Sequence, residues 1–309
     1  MTTESTKICL KCLEPIVSEE HKYGLHSDCF IAWFKVSSEH EFVSIKQHSV
    51  TSQEPGKKPK ENQFNTSFFH GMFKKYSADL ESSSFILKMR QSDAPEIPEV
   101  EYVCNQIGHA LGLPVAEHYL INFMGEQTFV TRNFIKKGGA SSNLDHIYKY
   151  VKEDQAYSCE VLIEIIKEQT KRPYHVETFI QTILYDSLIA NHDRHGRNLG
   201  FIVMSSASVL SPIYDNVSYL GLFAGEWLKA DLNQPGKVAV LGVENPSMTE
   251  YVLEFRRLGY DEVVREFYSK IKPPKVIDLI EKSFCSDLMK QALIKMFKKR
   301  YKELEDALN

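Results

Sequence analysis

One stretch constrains the chain more than any other: IANHDRHGRNLGFIV at 189–203, followed by SPIYDNVS at 211–218. Apolar residues at helical spacing (Phe179, Ile180, Ile183, Leu184, Leu188) lead into it, so a helix is expected to run up to Asn191. Eight polar or glycine positions follow, and then an apolar strand begins at once. A second apolar run, across a serine turn, delivers Tyr214 and Asp215. A helix, a polar loop and a hairpin in that order place Asn198 and Asp215 where two oxygen ligands can converge on one hard cation. Asp193, five residues before Asn198 on the same loop, is placed to take a proton from an attacking hydroxyl. Phosphoryl transfer needs this division of labour: one carboxylate at the nucleophile, and an amide and a carboxylate on the metal. The competing expectation is a solvated turn in which Asp193 pairs with Arg194 or Arg197 on the surface.

Upstream, SFILKM (84–89) reads as a strand carrying Lys88, and Val100, Val103, Ile107 and Leu111 recur at helical spacing before Gly112 and Pro114 stop the helix. Residues 118–135 read as two strands around a Gly125-Glu126 turn. Beyond about 140 the pattern turns helical, at 157–168, 175–190, 261–271, 274–284 and 286–307, with a hairpin from 199–204 and 209–213. The expected class is therefore α+β in two lobes, small and strand-rich at 67–138 and larger and helical at 139–309, with a cleft between them as the natural ligand site. Residues 37–66 are polar and rich in Lys and Glu, which predicts a flexible linker with one short strand at Phe42–Ile45.

Residues 1–36 carry Cys9-x₂-Cys12 and His26-x₂-Cys29, separated by 13 residues. Two close pairs at that spacing suit a tetrahedral Cys₃His structural zinc site, with His21 as an alternative to His26. Scattered reduced cysteines or a redox CxxC are the other readings of the same residues. Charge separates some function classes. With 37 Lys plus Arg against 41 Asp plus Glu, the net charge of −4 argues against a nucleic-acid backbone as a direct partner. The basic C-terminal stretch from Lys290 to Lys302 reads as a solvated helix face, because Glu303, Glu305 and Asp306 follow it. No apolar run is long enough to span a membrane and the N-terminus is polar, so a cytoplasmic setting is expected.

Asp193-Arg194-His195-Gly196-Arg197-Asn198 before an apolar strand, then Pro212-Ile213-Tyr214-Asp215-Asn216-Val217-Ser218, resembles the HipA family of toxin kinases, whose pattern is D-x-H-x-x-N, a strand, and Y-D-x-x-S. Roughly residues 64–300 share the resemblance, and the shorter layout, without an additional N-terminal subdomain, is closest to HipT, the kinase subunit of a tripartite toxin–antitoxin system. The resemblance implies a bilobal protein-kinase-like fold and ATP- and Mg-dependent phosphorylation of protein serine or threonine. An aminoacyl-tRNA synthetase is the candidate target, and small antitoxin proteins are the implied partners. It makes Asp193 the catalytic base, Asn198 and Asp215 the metal ligands, His195 a loop-fixing residue and Lys88 the phosphate lysine. Glu101 would pair with Lys88 or the metal, or else lie on a solvated face. Arg132 and Phe134, at the end of the second hairpin strand, enter as nucleotide-site candidates. The family's S-x-x-G-x-x-x-K phosphate loop corresponds to Asn65–Tyr76, with Gly71 near the phosphates and Lys74 or Lys75 supplying charge. Ser67 lies one residue farther from the glycine than usual and His70 replaces a small residue. Ser67 or Thr66 is the candidate for autophosphorylation, a step that adds a charge of about −1.5 to −2. The D-R-H-x-x-N spelling also resembles phosphoinositide-type lipid kinases, although Tyr-Asp-Asn replaces their Asp-Phe-Gly-like element. A non-catalytic pseudokinase or zinc-bearing binding module is the third alternative.

Overall fold

The computed structural model describes residues 7–17, 21–48, 75–135, 143–205 and 207–309. The smaller lobe is a five-stranded antiparallel sheet in the order β3-β4-β5-β7-β6. Its strands are β3 (Val43–His48), β4 (Lys75–Leu80), β5 (Ser83–Met89), β6 (His118–Phe123) and β7 (Glu126–Arg132). The edge strand β3 lies inside the stretch expected to be a linker and pairs with β4 across a register irregularity between Val43 and Lys46. The β6–β7 turn is made by Met124 and Gly125, both at positive φ, as a tight two-residue hairpin requires. Gly71, Ser67 and Thr66 fall outside the described residues.

Between β5 and β6 runs α2 (Ile97–Ala110), opened by a proline at its first turn. It faces both lobes. Val100, Val103 and Ile107 belong to the core of the larger lobe, while Tyr102 packs with the sheet. Glu96, just before α2, accepts the backbone N–H and hydroxyl of Ser286 at 2.6 and 2.8 Å, tying the helix start to the last helix of the chain.

The larger lobe contains α3 (Cys159–Thr170), α4 (Pro173–Ile189), α5 (Met248–Arg257), α6 (Asp261–Lys270), α7 (Pro273–Glu281) and α8 (Asp287–Leu308). It also holds a small sheet of β8 (Asn143–His146), β9 (Gly200–Val203) and β10 (Ser208–Leu210) in the order β10-β9-β8. α4 is buried from His175 to Ile189 except at Glu177, so it is the central helix, covered on nearly every face. Helix α5 has no counterpart in the sequence reading, yet its start is written there. Ser247 caps the Glu250 N–H while Glu250 reaches back to Ser247, a full capping box. Among the described residues no helix is long and apolar enough to cross a membrane.

At the N-terminus β1 (His21–Lys22) and β2 (Leu25–His26) form a short hairpin leading into α1 (Ser27–Phe34). Phe30 and Phe34 of α1 are buried in one cluster with Phe42, Phe85, Tyr119 and Phe123. This segment therefore covers the outer face of the five-stranded sheet. The Phe34 ring centroid lies 4.6 Å from that of Tyr119, tilted, and 5.6 Å from that of Phe85, edge to face, so Phe34→Ala is expected to cost about 3–5 kcal/mol.

Candidate active site

Strand register brings the first two side chains together. In the β4–β5 pair, Lys75 stands directly opposite Lys88, and both ammonium groups are buried between the lobes. Lys88 Nζ donates to Glu101 Oε1 and Oε2 at 2.5 and 2.8 Å and to Asp215 Oδ1 at 2.5 Å. Lys75 Nζ donates to Asp215 Oδ2 at 3.2 Å. The site is thus a buried square of two cations and two anions, three of them from the strand-rich lobe with α2 and one from the helical lobe. The Phe129 ring lies 5.6 Å from Lys88 Nζ, which closes the apolar side of the square.

Charge and burial compete at each corner. Burial alone would raise the Asp215 carboxyl, but the Lys75 and Lys88 ammoniums hold it far below the usual carboxylate range. Burial pulls Lys88 down, and Asp215 and Glu101 more than reverse this. Lys75 stays below an ordinary lysine, because burial outweighs the help of Asp215 and Lys88 repels it. Asp215 also sits at φ +53°, a left-handed conformation costly for a non-glycine residue and common where a side chain must be aimed.

The loop after α4 adds the remaining groups. Asn198 Nδ2 donates to the Asp193 carbonyl at 2.8 Å and lies 3.5 Å from Asp193 Oδ2. Asn191 links the loop to the square, accepting from the Asp193 N–H at 3.1 Å and donating to the Asp215 carbonyl at 3.5 Å. Lys88, Asp193, Asn198 and Asp215 therefore stand in one hydrogen-bonded chain. The Asp193 carboxylate is its open end, 62% exposed, with His195 Nε2 at 3.8 Å.

Arg194 overturns the expectation of a surface pair. It is among the most buried side chains in the molecule and makes two parallel bonds to Asp186, at 2.7 and 2.8 Å. Its remaining N–H groups reach the carbonyls of Asn198 and Tyr214, both at 2.8 Å, and Asn216 Oδ1 at 2.6 Å. One guanidinium fastens the 193–198 loop to the 214–216 loop and both to α4. Asn216 in turn donates to Asn105 Oδ1 at 3.0 Å, one turn beyond Glu101 on α2. Asp186 and Asn105 were not singled out in the sequence, and Arg194 and Asn216 entered there only as members of their motifs. Their only signal there was polarity in otherwise apolar surroundings.

Other candidates lie elsewhere. Arg132 turns its guanidinium to Glu117 and Ser83, at 3.0 and 2.9 Å. Phe134 packs on Tyr214, with ring centroids 5.7 Å apart, beside Asp215. At the N-terminus the ligand atoms of Cys9, Cys12, His26 and Cys29 all lie within 4.8 Å of one another, and His21 is not among them. Burial pushes the Cys9 thiol up, but the amides of Cys12, His26 and Lys11 outweigh it and bring it down to about 6. Burial and the neighbouring sulfurs push Cys29 up to about 12.

Residues 58–282 match the HipA-like C-terminal domain. Over 253 residues the chain is 26% identical to a Haemophilus influenzae protein named "Putative kinase", covering 71% of this chain and 74% of the relative. Its fold is similar to the Helicobacter pylori proinflammatory kinase CtkA, with a TM-score of 0.63 at 18% identity, covering 76% of this chain and 92% of that one. It is also similar to Shewanella oneidensis HipA, from a toxin–antitoxin complex with HipB and operator DNA. There the TM-score is 0.52 at 13% identity, over 72% of this chain and 58% of that one. At such identities the two structures speak to the fold, which is bilobal and kinase-like.

Proposed function

Since the chain belongs to the HipA-like C-terminal domain family, we propose that it is an ATP- and magnesium-dependent kinase that phosphorylates a serine or threonine of a protein. The observation that carries this reading is Lys88, joined at once to Glu101 and to Asp215 across the lobes, with Asp193 and Asn198 in the same hydrogen-bonded chain. The donor set suits the groups it would hold. Asp215 and the amide oxygen of Asn198 are hard oxygen ligands for magnesium, and two buried ammoniums beside them suit phosphate oxygens. When bound, magnesium neutralises charge on the terminal phosphates of ATP.

The residues divide the work. Glu101 holds Lys88 in place, and Lys88 and Lys75 bind phosphate oxygens. Arg194 keeps the two loops in register, so that Asn198 and Asp215 stay aimed at one point. Asp193, the exposed carboxylate, accepts the proton of the attacking hydroxyl while its oxygen bonds to the γ-phosphorus and ADP leaves. We further assign the chain to the toxin side of a HipT-like toxin–antitoxin system acting in the cytoplasm, restrained by a small antitoxin protein and aimed at an aminoacyl-tRNA synthetase. Ser67 or Thr66 is the proposed autophosphorylation site, and a phosphorylated 64–78 peptide after incubation with Mg-ATP would show it.

The test is incubation of wild type and Asp193→Asn with Mg-ATP and a cell lysate, reading new phosphosites. Transfer to protein should fall at least about 10³-fold in the variant, because base and positioning are lost together. Unchanged transfer in Asp193→Asn, or transfer to phosphoinositide instead of protein, overturns the proposal.

A further inference from the structure

The N-terminal segment has a task that the phosphoryl-transfer residues leave unexplained. Residues 7–17 contain no helix or strand, only one bridge between Ile8 and Pro15, yet Cys9 is fully buried and Leu10 nearly so. Something other than a regular ladder holds this stretch against the β1–β2 hairpin. Cys9 and Cys12 come from it, His26 from the end of β2, and Cys29 from the first turn of α1.

The spacing of His26 from two of the sulfurs fits a tetrahedral centre. With metal–sulfur and metal–nitrogen bonds of about 2.3 and 2.05 Å, a tetrahedron sets sulfur and nitrogen about 3.6 Å apart. His26 Nδ1 lies 3.5 Å from Cys12 Sγ and 3.9 Å from Cys29 Sγ. The imidazole is also oriented from behind. Its Nε2 donates to the Pro15 carbonyl at 3.1 Å, which leaves the Nδ1 lone pair pointing at the sulfurs. A carbonyl behind a ligating imidazole is the usual outer support of a zinc site. Three thiolates and one imidazole within 4.8 Å of one another suit zinc, whereas iron–sulfur clusters are most often held by four cysteines.

We infer that Cys9, Cys12, His26 and Cys29 bind one zinc ion, which fastens the N-terminal segment to the outer face of the five-stranded sheet. The metal joins the 7–17 stretch to α1, and α1 carries the connection inward. Trp33 packs on Tyr119 and on Tyr102, at 5.5 and 6.5 Å, and Tyr102 is the neighbour of Glu101 on α2. On the other side, the Asn122 N–H donates to the Tyr23 carbonyl at 2.8 Å, joining the hairpin to β6. The zinc site stands on its own geometry and does not depend on the kinase reading.

Full-length protein purified without chelator should carry about one zinc per chain by elemental analysis, released in proportion to p-hydroxymercuribenzoate added. Cys12→Ser should lose at least about nine-tenths of it, with a thermal midpoint roughly 5–10 °C lower, whereas Cys285→Ala should keep it. His26→Cys should retain zinc, which guards against a Cys12→Ser variant that fails to fold. Cobalt(II)-substituted wild type should show the intense visible bands of a tetrahedral thiolate site. Zinc well below one per chain with a Cys9–Cys12 disulfide, iron in its place, or zinc undiminished in Cys12→Ser overturns the inference.

Discussion

The buried square of Lys75, Lys88, Glu101 and Asp215 makes a sharp prediction about stability, independent of any ligand. Its four charges sum to zero. Asp215→Asn leaves two cross-strand ammoniums facing the single Glu101 carboxylate, and breaking a buried pair in this way should cost about 3–5 kcal/mol. Lys75→Met alone should cost less, about 1 kcal/mol, because losing its pair with Asp215 is offset by removing a buried ammonium that repels Lys88, while Asp215 keeps Lys88 at 2.5 Å. The double variant is balanced again, one cation against one anion. At 3.2 Å and an effective dielectric of about 20, the Lys75–Asp215 attraction is about 5 kcal/mol before desolvation is subtracted. Contacting pairs retain roughly 0.5–3 kcal/mol of such coupling. Adding Lys75→Met to Asp215→Asn should therefore restabilise the protein by about 2 kcal/mol. Urea unfolding of the four proteins in nucleotide-free buffer at pH 7 measures this. The Lys75 and Asp215 side chains are only 5% and 19% exposed, so raising salt should change the result little. Additive costs, within about 0.5 kcal/mol, would refute the square as a coupled unit.

Two further outcomes follow from single groups. Arg194→Met should destabilise by about 3–5 kcal/mol, since it strands buried Asp186 and releases both loops, and Arg194→Lys should not rescue it, because an ammonium lacks the five-donor fork; equilibrium unfolding decides. His118 is held neutral, and burial pushes its imidazole down to about 4. Its Nδ1 donates to the Ala116 carbonyl at 2.9 Å, and its Nε2 accepts from Gln106 at 3.3 Å. The unfolded chain binds this proton near pH 6.5 and the native state only near 4, so stability should be full above about 6.5 and fall by about 3 kcal/mol as pH drops to 4. His118→Gln should flatten that slope in urea titrations across the range.

What could be read beforehand followed from local rules. Asp193, Asn198 and Asp215 stood out because a polar loop and a strand end interrupt apolar periodic runs, whereas Lys88 and Glu101 took their roles from the family resemblance. Lys75 was one of two lysines in an expected loop. Only the strand register, which sequence does not encode locally, sets it opposite Lys88 and against Asp215. Arg194 entered only in the competing reading, as one of two surface partners for Asp193, because its own partners are distant. Asp186 lies two turns back on α4, and Asn216 lies beyond a hairpin. Nothing in DRHGRN distinguishes an arginine turned inward from one turned out. α1 and β8 were missed for another reason. They are short, and tertiary packing rather than periodicity holds them, as Phe30 and Phe34 show for α1.

The central claim is that Asp215 and Asn198, backed by Lys88, grip a nucleotide's phosphates through a divalent ion. Calorimetric titration of ATP into the full-length protein, with and without magnesium, tests it most directly. Binding should require magnesium, fall at least about tenfold in Asp215→Asn, and persist in Asp193→Asn, because the proposed role of the Asp193 carboxylate is at the acceptor hydroxyl and not at ATP. ATP binding that is indifferent to magnesium, or undiminished in Asp215→Asn, would contradict the account.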